Sequence, residues 1–328
     1  MNTMAKLSAY GAALVLLAAG GWATGSAVGP LTTATAPSGE RGAMSGVAPT
    51  GAGDTAHGGG THSGAVAEAA TGEPGGLASS TGGYTLTPTD PILTPGAIED
   101  FTFRIAGPDG TPVTAFDVEH DKRMHVIVVR RDTTGFGHVH PEMAPDGTWS
   151  VPLTVASAGS YRAFADFTPT GGEGTTLGVD LVAPGAFEPV THTGSRTAQV
   201  DGYTVELAGD LVPGRSSPVS LTVSRDGVAV TDLQPYLGAY GHLVALREGD
   251  LAYLHVHPDG APADGVTPSG PQVPFFAEVP SAGAYRLFLD FRHGDVVRTA
   301  EFTVPTLAGT GDAPAAPADA HGAPGDGH

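Results

Sequence analysis

An internal repeat constrains the fold of this chain more than any other feature. The segment AGSYRAFADF, which begins at Ala158, matches AGAYRLFLDF, which begins at Ala282. The tetrapeptide HVHP also occurs in both copies, at His138 and at His255. Because one unit of about 105 residues occurs twice, the sequence predicts two domains with the same fold, at residues 84–187 and 203–305.

Each unit is built from short segments that are rich in β-branched and aromatic residues. HVIVV, YRAFADF, YRLFLDF and EFTV are typical of β-strands, and Gly, Pro and Asp separate them as turn residues do. Neither unit contains a long helical period. About seven short strands in a unit of this size predict an all-β protein with two tandem immunoglobulin-like β-sandwich domains.

The two ends of the chain have a different character. Lys6 precedes an apolar run of about 15 residues and then small residues, a pattern typical of a secretory signal. A membrane span needs roughly 20 apolar residues, so residues 1–27 are interpreted as a signal peptide or an N-terminal anchor. Residues 28–83 and 306–328 are rich in Gly, Ala and Thr or Pro, which predicts a disordered tether and a disordered tail.

The character of the N-terminal segment predicts the location of the protein. We expect it to be exported, either extracellular or associated with the cell envelope. It would meet a membrane only through an uncleaved N-terminal segment.

Composition excludes several classes of function. The chain has 15 Lys and Arg against 34 Asp and Glu, a net charge of −19, which argues against a nucleic-acid partner. It contains no cysteine, so disulfides, thiolate metal sites and thiol catalysis are excluded. A metal site in this chain must therefore use His, Asp, Glu, Met or backbone oxygen.

Each repeat carries three histidines in the same arrangement. Alternate residues of a strand point to one face, so both imidazoles of an HVH segment lie on the same side. A third histidine precedes the segment by 13 residues in both repeats. A tight hairpin turning at Glu248 and Gly249 would place His242 directly opposite His255, and the same register would pair His125 with His138. The candidate metal ligands are His125, His138 and His140 in the first repeat, and His242, His255 and His257 in the second.

Three imidazoles leave one coordination position of Zn(II) or Cu(II) open. Met124 and Met143 flank the first trio, and a thioether ligand would favour Cu(I). The alternative is that these histidines are structural and hydrogen-bond across the sandwich. The sequence therefore predicts a copper or zinc ion as the cofactor and leaves the structural interpretation open.

Two carboxylates also recur at equivalent positions, Asp166 and Asp290, each four residues after an arginine. An ion pair with another strand is the first expectation for both. A fourth metal ligand, or a group that orients a histidine by hydrogen bonding, is the alternative. Three further histidines, His120, His192 and His293, have no counterpart in the other repeat and are interpreted as incidental.

At HLVALREGDLAYLHVHP followed by AGAYRLFLDF, the sequence resembles a group of bacterial exported domains. These are the YtkA-like and copper-resistance (CopC-like) β-sandwich domains, described as heavy-metal-binding. The resemblance covers both repeats and neither tail. It implies an immunoglobulin-like fold at the cell envelope and a role in handling copper or another metal through the six histidines.

The leading hypothesis is an exported, non-enzymatic protein that binds or buffers copper or zinc through one tri-histidine site in each repeat. The alternative is an envelope-tethered module that binds a protein or carbohydrate partner and whose histidines are structural. We expect no enzyme activity, because the sequence shows no general base beside the histidines, no phosphate-binding loop and no nucleophile elbow. The expected partner is a transition-metal ion, with an envelope protein as a further candidate.

Overall fold

The computed structural model describes residues 74–307, except that it leaves out residue 255 and the side chain of residue 257. These residues all belong to one compact unit of the chain. Within the described range there are nineteen β-strands and no helix, and consequently no helix long and apolar enough to cross a membrane. The expected signal peptide or anchor at residues 1–27 lies outside the described residues, as do most of the expected tether and tail.

The first repeat contains nine strands: β1 (Ser80–Thr81), β2 (Tyr84–Pro88), β3 (Ile98–Ala106), β4 (His125–Arg130), β5 (Gly137–Val139), β6 (Glu142–Met143), β7 (Thr148–Thr154), β8 (Gly159–Phe167) and β9 (Thr175–Ala183). They form two antiparallel sheets, with strand orders β1-β2-β3-β7-β6 and β5-β4-β8-β9. The chain passes from the second sheet back to the first between β5 and β6, where the HVHP segment lies.

The second repeat contains ten strands: β10 (Thr197–Val200), β11 (Tyr203–Ala208), β12 (Arg215–Arg225), β13 (Val228–Ala229), β14 (His242–Arg247), β15 (Tyr253–Leu254), β16 (Val256–Pro258), β17 (Gln272–Val279), β18 (Ala284–His293) and β19 (Val296–Pro305). One sheet has the order β10-β11-β12-β17-β16, with β13 paired to β12, and the other has the order β15-β14-β18-β19. The second repeat therefore has the sheet plan of the first.

Both repeats are immunoglobulin-like β-sandwiches, and the all-β tandem fold expected from the sequence is confirmed. Alternate residues of each strand enter a separate apolar core, centred on Phe103 and Trp149 in the first repeat and on Phe275 and Phe302 in the second. Each sandwich also has a tyrosine corner of the kind found in immunoglobulin-like folds. The hydroxyl of Tyr161 donates a hydrogen bond to the Ser157 carbonyl at 2.7 Å, and the equivalent Tyr285 donates to Ser281 at 2.8 Å.

The first repeat begins earlier than residue 84. Strand β1 and the preceding residues lie within the segment expected to be a disordered tether. The Arg162 side chain donates from Nε and Nη2 to the Gly76 carbonyl oxygen, at 3.0 and 2.6 Å, and Nη2 also donates to the Leu77 carbonyl oxygen at 2.7 Å. Arg162 holds this glycine-rich segment through its backbone oxygens, so the sequence pattern, with few apolar side chains, did not predict its place in the fold.

A third apolar cluster joins the two repeats. Strands β4 and β14 are buried along nearly their whole length, so the residues that face away from their own core are covered by the other repeat. The cluster consists of Ile127, Val129, Phe164, Val244, Leu246, Leu251 and Phe288, with Phe136 and Tyr253 packed against it. The Phe136 and Phe288 rings stack with their centroids 4.1 Å apart, and the equivalent pair, Tyr253 and Phe164, lies at 5.7 Å. The repeats thus dock through matching faces.

Candidate functional site

The three candidate histidines of the first repeat lie on the face of β4 and β5 that meets the second repeat. His125 begins β4, and its side chain shares a face with Ile127, which belongs to the cluster between the repeats. His138 lies opposite Ile127 in the neighbouring strand β5, and His140 follows two residues later. One ligand nitrogen from each of these histidines lies within 4.8 Å of the other two. The structure therefore brings the first predicted trio together.

The register that brings them together differs from the one expected. His138 pairs with Ile127 rather than with His125, and in the second repeat Ala245 pairs with Leu254, a shift of two residues from the predicted pairing. The second hairpin is longer because Asp250 accepts hydrogen bonds from Arg247 and from the Ala252 amide, which stabilises a four-residue loop. Because strand side chains alternate with a period of two, a two-residue shift keeps each of them on its predicted face. His125 and His138 therefore still share a face, as predicted.

The hydrogen bonds around the trio indicate where two of its ring protons lie. His125 Nε2 lies 3.1 Å from the Glu119 carbonyl oxygen, which can only accept, so Nε2 donates and Nδ1 keeps its lone pair. His138 Nδ1 lies 2.9 Å from Asp290 Oδ2 and donates to this carboxylate. The remaining nitrogens converge: His125 Nδ1 is 3.1 Å from His138 Nε2 and 3.2 Å from His140 Nε2. Because His125 Nδ1 has a lone pair, these contacts are favourable when the facing nitrogen carries a proton or when the nitrogens share a metal ion.

The spacing of the rings suits a shared ion. Imidazole nitrogens bound at about 2.0–2.1 Å to a tetrahedral ion stand about 3.3 Å apart, which places the ring centroids about 5 Å apart. The centroid separations are 5.3 Å for His125 and His138, 4.9 Å for His125 and His140, and 4.8 Å for His138 and His140. The three rings could hold one ion with only small adjustments.

Burial keeps the imidazoles of His125 and His140 neutral, which is the form that binds metals. Desolvation lowers the pKa of His125 to about 4, and the charge of neighbouring His138 acts in the same direction. Desolvation, aided by His138 and His125, lowers the pKa of His140 to about 2. At neutral pH both side chains offer a lone pair without first losing a proton.

The second repeat contributes its own histidine to the same region. His242 Nε2 lies 2.9 Å from the Leu237 carbonyl oxygen, an arrangement like that of His125, and burial lowers the pKa of His242 to about 4. Its ring centroid lies 6.5 Å from that of His125 and 6.2 Å from that of His138. A pocket of about 40 Å³, lined by all three, lies between the repeats and has room for a water molecule.

The rest of the second predicted trio is only partly described. His255 lies outside the described residues, and nothing is described of the His257 side chain. The His257 backbone pairs with Phe276 of β17, so this part of the HVHP segment belongs to the other sheet of the sandwich. The prediction that His257 lies in the same hairpin as His242 is therefore wrong, because β16 pairs with β17. The tri-histidine site of this repeat stays a prediction.

Of the two recurring carboxylates, Asp166 contacts two hydroxyl groups, whereas Asp290 lies 2.9 Å from His138, which is an ion pair only when that imidazole is protonated. Asp290 accepts hydrogen bonds from His138 of the other repeat and, at 2.6 Å, from the Thr299 hydroxyl. Asp166 accepts from Thr176 at 2.7 Å and from Tyr253 of the second repeat at 3.3 Å. Asp290 thus takes the orienting position that was the alternative.

The neighbouring arginines pair with other acids. Arg162 pairs with Asp180 at 2.9 Å, and Arg286 pairs with Glu301 at 2.5 Å. The two methionines do not reach the trio either, because they face the interior of the first sandwich. Met124 belongs to its core and Met143 packs against it, so the expected thioether contribution to copper preference is not supported by their packing.

His120 is a site residue that the sequence analysis missed. Its ring lies 5.1 Å from that of His242 and 6.2 Å from that of His125, measured between centroids. It was set aside because the second repeat has Leu237 at the equivalent position, although both residues have the same left-handed backbone, with φ of 48° and 53°. Its place five residues before His125, at a turn leading into the same strand, was the available signal.

The fold and the site together define an all-β protein of two docked immunoglobulin-like domains with a buried histidine cluster at their junction. Residues 79–183 and 198–308 both match the model of a family described as Domain of unknown function (DUF8832). Because the two matches cover about two thirds of the chain, the protein belongs to this family. The match gives no support to the YtkA-like or copper-resistance families that the sequence resembles. No curated protein matches the chain significantly.

Several solved structures are similar at low identity. A Salmonella alpha-2-macroglobulin mutant is 15% identical, with 73% of this chain and 16% of that chain covered and a TM-score of 0.25. Invasin, a bacterial integrin-binding protein, is 15% identical, with 67% and 39% covered and a TM-score of 0.20. The Escherichia coli adhesin FdeC is 10% identical, with 69% and 65% covered and a TM-score of 0.22. The chain spans less than two thirds of each, and TM-scores this low carry no argument about function.

Proposed function

We propose that this protein is an exported, non-enzymatic binder or buffer of a transition-metal ion, copper or zinc, held by His125, His138 and His140. The observation that carries the proposal is the convergence of imidazole nitrogens at 3.1 and 3.2 Å. The distal nitrogens of His125 and His138 already donate to oxygen acceptors, as is usual for histidines that bind metals. Three nitrogen ligands with an open fourth position suit Zn(II) and Cu(II).

The test is a calorimetric titration of the untagged, chelator-stripped protein with Zn(II) and with Cu(II). We expect tight binding by the unmodified protein and at least a hundredfold weaker binding at this site in His140→Ala. His140 is the best ligand to remove because it is only half-buried and, among the described residues, its side chain hydrogen-bonds to His125 alone. His192→Ala is the control, since His192 lies in the linker and donates to the Asp132 carbonyl.

Binding that is equally tight in His140→Ala and in the unmodified protein would contradict the assignment of ligands. If the unmodified protein binds neither ion, the histidines are structural. An envelope module that recognises a protein or carbohydrate partner then becomes the better hypothesis.

By equivalence of the repeats, we extend the proposal to a second ion bound by His242, His255 and His257. The arrangement of His242 supports this, because its Nε2 faces a backbone carbonyl as that of His125 does. The double variant His255→Ala/His257→Ala should lower the number of bound ions by one and leave binding at the first trio intact. An unchanged stoichiometry would reject the second site.

A further inference from the structure

The histidine cluster of the first repeat is contacted by a carboxylate of the second. His138 belongs to β5, but the carboxylate that accepts a hydrogen bond from its Nδ1 is Asp290 of β18. Both side chains are almost fully buried, with 4% and 5% of their surfaces exposed. Asp290 is in turn fixed within its own repeat by the Thr299 hydroxyl at 2.6 Å. The hydrogen bond that holds the His138 ring in this orientation is therefore available only while the second repeat is docked.

The surroundings of this hydrogen bond connect it with docking. Asp290 pairs with His242 in the register of β14 and β18, so the carboxylate and the histidine enter the junction side by side. Phe288, two residues before Asp290 on the same face of β18, stacks on Phe136, two residues before His138. The same short segments therefore supply both the apolar contact between the repeats and the polar support of the ligand.

We propose that ion binding and the docking of the two repeats are thermodynamically coupled, so that the bound ion stabilises the docked form. This inference rests on the proposed function and adds its regulation. The docked form binds the ion tightly because Asp290 orients His138 and increases its basicity. By linkage, an ion that prefers the docked form stabilises docking by the same factor.

The first test replaces Asp290 by Asn in the full chain, which removes the charge and keeps the shape. We expect ion affinity to fall 10- to 100-fold, the range typical for loss of a carboxylate partner of a metal-bound histidine. Asp232→Asn, which makes the same change of charge at an exposed site, should bind as the unmodified protein does. Affinity within threefold of the unmodified protein in Asp290→Asn would overturn the coupling.

The second test needs no variant that endangers folding. Hydrogen exchange of the unmodified, metal-free protein is compared with exchange at an ion concentration one hundred times the Kd. Peptides spanning β4 and β14 should exchange up to about a hundredfold more slowly with the ion, because binding to the docked form suppresses its opening. Peptides spanning β11, in the sheet of the second repeat away from the junction, serve as the internal reference.

The outcomes separate the two proposals. If the protein binds the ion and exchange in β4 and β14 does not change, the coupling is overturned and the proposed function stands. If the protein binds no ion at all, the proposed function fails and the coupling fails with it.

Discussion

His125 and His242, at the junction of the repeats, are neutral in the folded protein at neutral pH. Desolvation lowers the pKa of His125 and of His242, and it outweighs the hydrogen bond from each Nε2 to a backbone carbonyl, which acts in the opposite direction. Charging such a ring inside the protein would require solvation that the junction does not provide. The same property that prepares these side chains for a metal ion makes the metal-free protein sensitive to acid.

The metal-free protein should therefore lose stability in mild acid. Burial lowers the pKa of His125 and of His242 to about 4, against about 6.5 in the unfolded chain. Between these values the unfolded chain binds more protons, so the free energy of unfolding falls as the pH falls from about 6.5 to about 4, by on the order of 3 kcal/mol for each histidine. Urea unfolding with a chelator present, at pH 7.5 and pH 5, measures the first part of this decline, about 2 kcal/mol for each histidine.

The matched variants for this experiment are His242→Gln and His192→Gln. The first removes one buried histidine and should make the decline shallower, whereas the second changes a linker histidine and should leave the slope as it is. Equal stability of the unmodified protein at pH 7.5 and pH 5 would contradict the neutral assignment.

At the scale of strands, HVIVV was correctly predicted as a strand, but the docking of the repeats, which the same segment could have indicated, was not predicted. HVIVV has no polar alternation, and a strand that is apolar on both faces is one that is covered on both sides. That run signalled the docking of the repeats, with Val126 and Val128 in the core and Ile127 and Val129 at the junction. The register of the hairpins was not predictable, because it depends on a loop in which Asp250 accepts local hydrogen bonds.

The segment that precedes β1 gives a second prediction for an element. A Cβ added at Gly178 would overlap the Gly76 carbonyl oxygen and lie 2.8 Å from Arg162 Nη2. Gly178→Ala should therefore displace residues 74–79 from β9 and lower the free energy of unfolding by about 1–3 kcal/mol through the lost hydrogen bonds. Limited proteolysis should cleave this segment faster in the variant.

Gly174→Ala is the control for that substitution. Its added Cβ would lie 3.5 Å from the Thr168 hydroxyl, an ordinary contact, and neither residue is part of the segment before β1. Cleavage of Gly178→Ala at the rate of the unmodified protein would show that the segment does not depend on this close approach.

At the scale of the whole molecule, the sequence predicted two equivalent domains with one site in each. The first trio was predictable because its three members lie within one repeat, close enough along the chain for strand geometry to bring them together. The contribution of Asp290 was not, because which faces of two sandwiches dock is decided by residues more than a hundred positions apart. The same long-range packing places His120 beside His242, and no repeat taken alone contains that contact.

A single charged substitution in the apolar cluster between the repeats tests whether this cluster holds them together. Leu246 is fully buried and belongs to the cluster between the repeats. A carboxylate at this position would be desolvated without a partner, so Leu246→Asp should separate the repeats while each sandwich keeps its own core. Small-angle X-ray scattering should then show a larger radius of gyration.

Val228→Asp adds the same charge at a residue that is 69% exposed and should scatter as the unmodified protein does. If Leu246→Asp is folded and its radius of gyration is also unchanged, the apolar cluster does not hold the repeats together.

The covalent connection between the repeats has a consequence for the conditions under which the site can form. Separate subunits that shared a histidine cluster and its supporting carboxylate would come apart on dilution, and the site would be lost with them. Here one polypeptide carries both His138 and Asp290, so each repeat meets the other at an effective concentration in the millimolar range that does not depend on the amount of protein present. The histidine cluster should therefore assemble as completely in a very dilute solution as in a concentrated one.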